Sequence, residues 1–195
     1  MARNLEFDYE KAIERGTRVF WGTGYANTSL RELLKMMRIG EGSFYNTFKS
    51  KKLAYIECLK HYNATVGLER AKAFEAAPTA AEGIRAIFAA ILDLLDHPKT
   101  PSRVCMMARA LNPEVLADAE LRQYIEEHMS RLSDRITARL TADKKNGLLP
   151  DDFNPRVVVP IVITYIQGLT RMALVSYDRH RFEQQIDAFL TGLRL

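Results

Sequence analysis

Cysteine is scarce in this chain: 195 residues hold two, Cys58 and Cys105. Two cysteines make no disulfide framework, and nothing else in the sequence points to an oxidising compartment. No apolar run reaches the roughly eighteen residues that a membrane-spanning helix needs. The opening stretch MARNLEFDYE has no apolar signal core, so we expect no export and a cytoplasmic location. The four histidines, His61, His97, His128 and His180, are scattered without metal-ligand spacing. Nucleophile elbow, P-loop and dinucleotide fingerprint are all missing. The acidic pairs Glu126-Glu127 and Asp151-Asp152 are sequence neighbours and suggest solvated surface. The expectation is a non-enzyme with no metal and no cofactor.

Strands are also wanting. Residues 157–163 are rich in β-branched side chains, yet no second segment could pair with them, so a helix is expected there. The rest of the chain reads as helix throughout: Asp8–Trp21, Ser50–Ala76, Pro78–Leu95, Ser102–Leu111, Glu114–Asp143, Pro155–Tyr177 and Arg179–Leu193. Glycine-, asparagine- and proline-containing breaks separate most of them. Pro155–Tyr177 is apolar around most of its circumference, which requires burial on two sides.

The net charge of +4 is unevenly placed. Residues 1–62 hold eleven Lys or Arg against seven Asp or Glu, while residues 63–195 hold seventeen of each. Arg31, Lys35, Arg38, Lys49, Lys51 and Lys52 face only Glu32 and Glu41 in their stretch, the electrostatic footprint of a phosphate-binding face.

That stretch, 28–52, reads as two short helices, a tight turn and the start of a longer helix. Thr28 or Ser29 caps the first, with Glu32 placed for a capping box. Leu30, Leu33, Leu34 and Met37 give it one apolar face. The second, Gly42–Phe48, buries Phe44 and Phe48 and leaves Ser43, Tyr45, Asn46 and Lys49 outward. These are the ingredients of a helix-turn-helix. Lysines in the first turn after Ser50 oppose the helix dipole, and a phosphate there would relieve that cost, which favours Lys51 as a backbone anchor.

Thr28-Ser29, Leu33-Leu34, Met37-Arg38-Ile39-Gly40, the run Gly42 to Phe48 and Ser50-Lys51-Lys52 resemble the DNA-binding motif of the TetR-type transcriptional repressors. The match is closest from Gly42 to Lys51 and covers about an eighth of the chain. At the turn the family usually has Gly where this chain has Arg38; a positive φ there would cost roughly 1 kcal/mol. The resemblance implies an all-α fold. A three-helix DNA-binding domain over residues 1–50 would precede a helical ligand-binding and dimerisation domain over 51–195. The candidate DNA-contacting set is Thr28, Gly42, Ser43, Tyr45, Asn46, Lys49 and Lys51. For Thr28, capping and phosphate contact compete for one hydroxyl, and capping takes precedence.

The family organisation further implies a homodimer through residues 155–195, double-stranded operator DNA as partner and a small organic effector. Cys105, Met106, Tyr124, His128, Tyr165, Gln167 and Met172 are candidates for an effector cavity, being polar or adaptable groups on apolar helices. Two readings stand for Cys105: a reactive sensor whose pKa Arg103 lowers, or a small buried hydrophobe. Trp21 and Tyr25 read as packing residues. The expected function is a ligand-responsive repressor released from its operator by the effector; an activator is not separated from it by sequence, since the sign depends on where the operator lies. A competing class is an all-helical small-molecule-binding or interaction protein without sequence-specific DNA binding.

Overall fold

The computed structural model describes residues 8–195; most of the stretch expected to lack an export signal lies outside the described residues. Among those described, regular structure is entirely helical. The helices are α1 (Tyr9–Thr23), α2 (Leu30–Met37), α3 (Glu41–Phe48), α4 (Lys51–Tyr62), α5 (Leu68–Ala76), α6 (Ala80–Asp96), α7 (Met106–Ala110), α8 (Pro113–Ala117), α9 (Ala119–Lys145), α10 (Pro155–Met172) and α11 (Arg179–Gly192). A π-helical turn, Asn63–Gly67, joins α4 to α5. No helix among the described residues is long and apolar enough to cross a membrane.

Side-chain caps set most of the starts. Asp8, Ser29, Ser50, Thr79, Asn112, Asp118, Asn154 and Asp178 each accept a backbone N–H from the first turn of the helix they precede. Such a cap stabilises by about 1 kcal/mol. Three expected spans are corrected by these local signals. Ser50–Ala76 is interrupted by the π-helical turn. Ser102–Leu111 contains helix only over Met106–Ala110, because Ser102–Cys105 is irregular. Glu114–Asp143 is two helices, since Asp118 turns extended and caps α9.

Two apolar cores organise the chain. The first joins α1–α4 to Val104, α7, α8 and the start of α9, through Phe20, Leu33, Phe44, Leu59, Met106 and Leu121, all fully buried. Gly16 lets α1 approach α4 closely, since a Cβ there would lie 3.1 Å from Cys58 Sγ. The second joins α5, α6, the rest of α9, α10 and α11. There Asp143 is buried and accepts the amide of Ala80 at 2.6 Å, fixing α6 against α9. Arg139 donates to the carbonyls of Phe74 and Ala77 at the end of α5.

Helix α10 is buried on one side only within the chain. Val158, Val159, Val162, Ile166 and Leu169 are in the core, while Val157, Ile161 and Met172 are exposed. Beyond its end, Val175 is 80% exposed.

Candidate nucleic-acid interface and ligand cavity

The helix-turn-helix is built from α2 and α3 on a base of α1 and α4. Leu33, Met37, Ile39, Phe44 and Phe48 point inward, with the Phe44 and Phe48 rings 5.3 Å apart. The chain reverses at Arg38, which adopts φ 59°, ψ 44° and donates its amide to the carbonyl of Leu34. The positive φ is therefore real and carried by a non-glycine residue. Lys49 at the end of α3 also has positive φ, 63°, and its ammonium returns to the carbonyl of Asn46 at 2.7 Å.

With Phe44 and Phe48 sealed, α3 presents Tyr45, Asn46 and Lys49 to solvent, with Ser43 half-buried. Gly40 caps α3 without a side-chain hydrogen bond, so no side chain claims its first amides. Gly42 is exposed, and a Cβ added to it would meet nothing within 4 Å. Arg31, Lys35, Arg38 and Lys49 are exposed and make no ion pair among the described residues. Lys51 is half-buried, lies 4.5 Å from the centre of the Tyr25 ring and has its pKa lowered by burial. Tyr25 in turn packs between Phe20 and Tyr55.

Two expectations about cations and caps change. Thr28 neither caps nor faces outward: it is fully buried, and its hydroxyl donates to the carbonyl of Gly24 at 2.6 Å beside Thr23 Oγ1 at 2.7 Å. Ser29 is the cap, accepting the amide of Glu32. Lys52, counted in the basic stretch, is tied back to Glu120 at 2.8 Å and Asp118 at 3.4 Å at the start of α9.

Between the two cores lies a cavity of about 290 Å³, bounded by α4, the π-helical turn, α5, α6, α9, α10 and the segment before α7. Its size is near the lower bound for ligand sites. Of the candidate residues, Cys105, His128 and Gln167 line it. Four do not. Met106 is packed into the first core. Tyr124 sits beside the cavity, its hydroxyl accepting from Asn63 at 3.1 Å. Tyr165 stacks on Phe189 at 3.8 Å, and Met172 is 58% exposed on α10. Being polar or adaptable groups on apolar helices made them candidates, but residue type does not say which core or surface each one meets.

Sequence reasoning missed Tyr62, Asn63, Arg70 and Met107 as lining residues. Asn63 begins the π-helical turn, and such turns recur at functional sites. Arg70 was hidden because a lone arginine on a polar helix reads as solvated. Here its Nη1 reaches Cys105 Sγ at 3.6 Å, and the Tyr62 hydroxyl donates to the same sulfur at 3.3 Å. Burial alone would raise the Cys105 thiol, but Arg70, Tyr62 and the Ala108 amide outweigh it and bring it below its usual value. Arg103, the expected activator, instead reaches the carbonyl of Ala173 and the face of Tyr177. Cys58 lies in the first core, its thiol pushed up by burial to about 12. Burial also lowers the His128 pKa, with Arg131 adding to it.

The cavity wall and the helix-turn-helix unit share one segment. Val104, next to Cys105, accepts the Trp21 indole N–H at 2.8 Å. From the other side Arg171 of α10 donates to the carbonyls of Ala108 and Leu111.

Known proteins repeat this arrangement. Residues 12–52 match the family described as bacterial regulatory proteins, tetR family. The uncharacterized HTH-type transcriptional regulator YezE of Bacillus subtilis (strain 168) is 30% identical over 198 residues, covering 99% of this chain and 100% of that protein. The HTH-type transcriptional repressor DhaR of Mycobacterium sp. (strain GP1) is 23% identical, covering 92% of this chain and 86% of its own. In structure, a cysteine mutant of the TetR family regulator CifR, complexed with 26 bp double-strand operator DNA, superposes with a TM-score of 0.86. It shows 25% identity over 97% of this chain and 98% of that one. Full-length likeness to YezE, with a helix-turn-helix built on α1–α4, places this chain in the TetR family of bacterial transcriptional regulators, which are not enzymes.

Proposed function

We propose that the chain represses transcription as a cytoplasmic homodimer that grips operator DNA with α3 and releases it when a small organic effector fills the cavity. The observation that carries this is the division of α3: Phe44 and Phe48 are sealed while Tyr45 and Asn46 are exposed. On this reading Tyr45 and Asn46 meet base edges or phosphates, and Ser43 and Lys49 meet the backbone. Gly42 has neither a positive φ nor a packed neighbour to explain it, so its missing side chain makes room for a phosphate against the uncapped start of α3. Lys51 adds charge at the start of α4. The CifR operator complex and the name of DhaR support the same assignment.

The working division is a DNA-binding unit over 1–50 and an effector and dimerisation unit over 51–195. Val157, Ile161 and Met172 recur on one exposed face of α10, with exposed Gly168 allowing close approach. A second copy, joined through 155–195, would bury this face. Two α3 helices related by a two-fold axis would then meet half-sites one or more helical turns apart, roughly 34 Å per turn. Effector binding would move the segment 104–107, and Trp21 would pass that shift to α1. Effector and operator would thereby weaken each other by one and the same factor.

The test is a titration against the duplex upstream of the protein's own coding region, at two salt concentrations, beside an unrelated duplex of equal length. Preferential binding that persists at higher salt supports the reading. Equal and salt-sensitive binding to both would reduce α3 to scaffold.

A further inference from the structure

The charged side chains that line the cavity are all basic. Arg70, Arg131 and Arg135 line it together with His128, and no aspartate or glutamate does. Arg131 and Arg135 stand exposed at its margin with carboxylates of their own, Glu127 at 3.7 Å and Glu75 at 3.8 Å. Arg70 differs. Its Nε is shielded from solvent without a hydrogen-bond partner, and no carboxylate pairs with it among the described residues. Its guanidinium makes a long hydrogen bond to Cys105 Sγ at 3.6 Å, with the Tyr62 hydroxyl beside it. A guanidinium N–H withdrawn from water without a partner is costly, and an incoming anion would offset that cost. Gln167 Oε1, on the same cavity wall, is likewise buried and unpartnered. Its amide can turn over to offer N–H groups instead. Tyr62 and Asn63 add neutral polar groups, and most of the remaining lining is apolar, including Phe74, Ile87, Ile91, Leu132 and Ile166.

We propose that the effector is a small organic carboxylate with an apolar body, its head group taken by Arg70 and its body by the wall of α6, α9 and α10. This rests on reading the cavity as the effector site. The guanidinium geometry suits a carboxylate, which can accept two N–H bonds in one plane. The neutral amide isostere offers one acceptor oxygen in place of two and no charge, and its NH2 would face a guanidinium N–H.

The experiment is calorimetric titration of the full chain, without DNA, with phenylacetate and phenylbutyrate, each beside its amide. Each acid is expected to bind at least about tenfold tighter than its amide. Arg70→Gln should bring acid and amide within about twofold, and Arg70→Lys should keep part of the preference. Alkylation of Cys105 gives a second readout: the acid, by competing for Arg70, should shift its pH profile upward, and the amide should not. Amides binding as tightly as acids, no acid binding at all, or acid affinity unchanged in Arg70→Gln would each overturn the proposal. Comparing acid with amide on the wild-type chain decides the matter even if a variant fails to fold. Operator binding by the ligand-free protein is measured separately, so failure of the regulator reading is told apart from failure of this one.

Discussion

Trp21 and Val104 are 83 positions apart in sequence, yet the indole N–H of one meets the carbonyl of the other at 2.8 Å inside the protein. The Trp21 ring also packs edge-on against Tyr62 at 5.0 Å, and Tyr62 lines the cavity. One residue of the first helix thus touches a cavity-lining residue, Tyr62, and the neighbour of another, Cys105. Trp21→Phe keeps an aromatic ring and leaves the Val104 carbonyl unpaired. Stability should fall by about 1–3 kcal/mol in denaturant unfolding. The factor by which an effector weakens DNA binding should shrink as well. A variant with unchanged coupling would send the signal along another path, such as Lys52 to Glu120.

At the turn, Arg38 holds φ 59° without the help of glycine. Arg38→Gly should raise stability by roughly 0.5–1 kcal/mol, after allowing for the freer unfolded chain. Arg38→Val should lower it by roughly 1–2 kcal/mol, since a β-branched residue tolerates this conformation least. Thermal and denaturant unfolding of both variants check the order. DNA affinity is the wrong readout here, because both changes also remove a charge.

Asn46 and Lys51 should separate by the kind of loss they cause. Asn46→Ala should change which base is preferred at one position of each half-site, by about 1–3 kcal/mol. Lys51→Gln should weaken binding to every duplex and reduce the salt slope by about one per half-site. Competition titrations at three salt concentrations distinguish them. Lys51 also rests on Tyr25, so its loss costs a cation–π contact of about 0.5–1 kcal/mol in the free protein.

The two cysteines should react at different rates. The thiolate is the reactive form. Cys105 is held below the usual thiol value, so more of it is ionised near neutral pH than of an ordinary cysteine, while Cys58 at about 12 stays protonated. Labelling by a small alkylating reagent should therefore reach Cys105 first. In Arg70→Gln the main lowering influence is lost: the Cys105 profile moves to higher pH, and labelling at fixed neutral pH slows. Mass spectrometry of timed samples reads both.

Helices with strong caps and periodic apolar faces were legible from the residues. Phe44 and Phe48 defined α3, and Phe182, Ile186 and Leu190 defined α11. The misjudged places have local causes. Asp118 was read as one polar residue in a long helix, though an Asp with Glu two positions later can equally open a new one. Thr28 lost its assigned role because Ser29 beside it competes for the same cap and Thr23 lies within hydrogen-bond reach. The cavity was half legible. Cys105, His128 and Gln167 stood out as unusual residues on apolar surroundings, whereas Arg70 acquires meaning only from α4 and α7 folding against it.

The most direct measurement is selection of bound duplexes from a random-sequence pool by the purified full chain, followed by sequencing. The account predicts an enriched two-fold-symmetric pattern whose half-sites lie one or more helical turns apart, at roughly 34 Å per turn. Enrichment should collapse when Tyr45 and Asn46 are both changed to Ala. A pool that stays unenriched, or a pattern without two-fold symmetry that survives those changes, would contradict it.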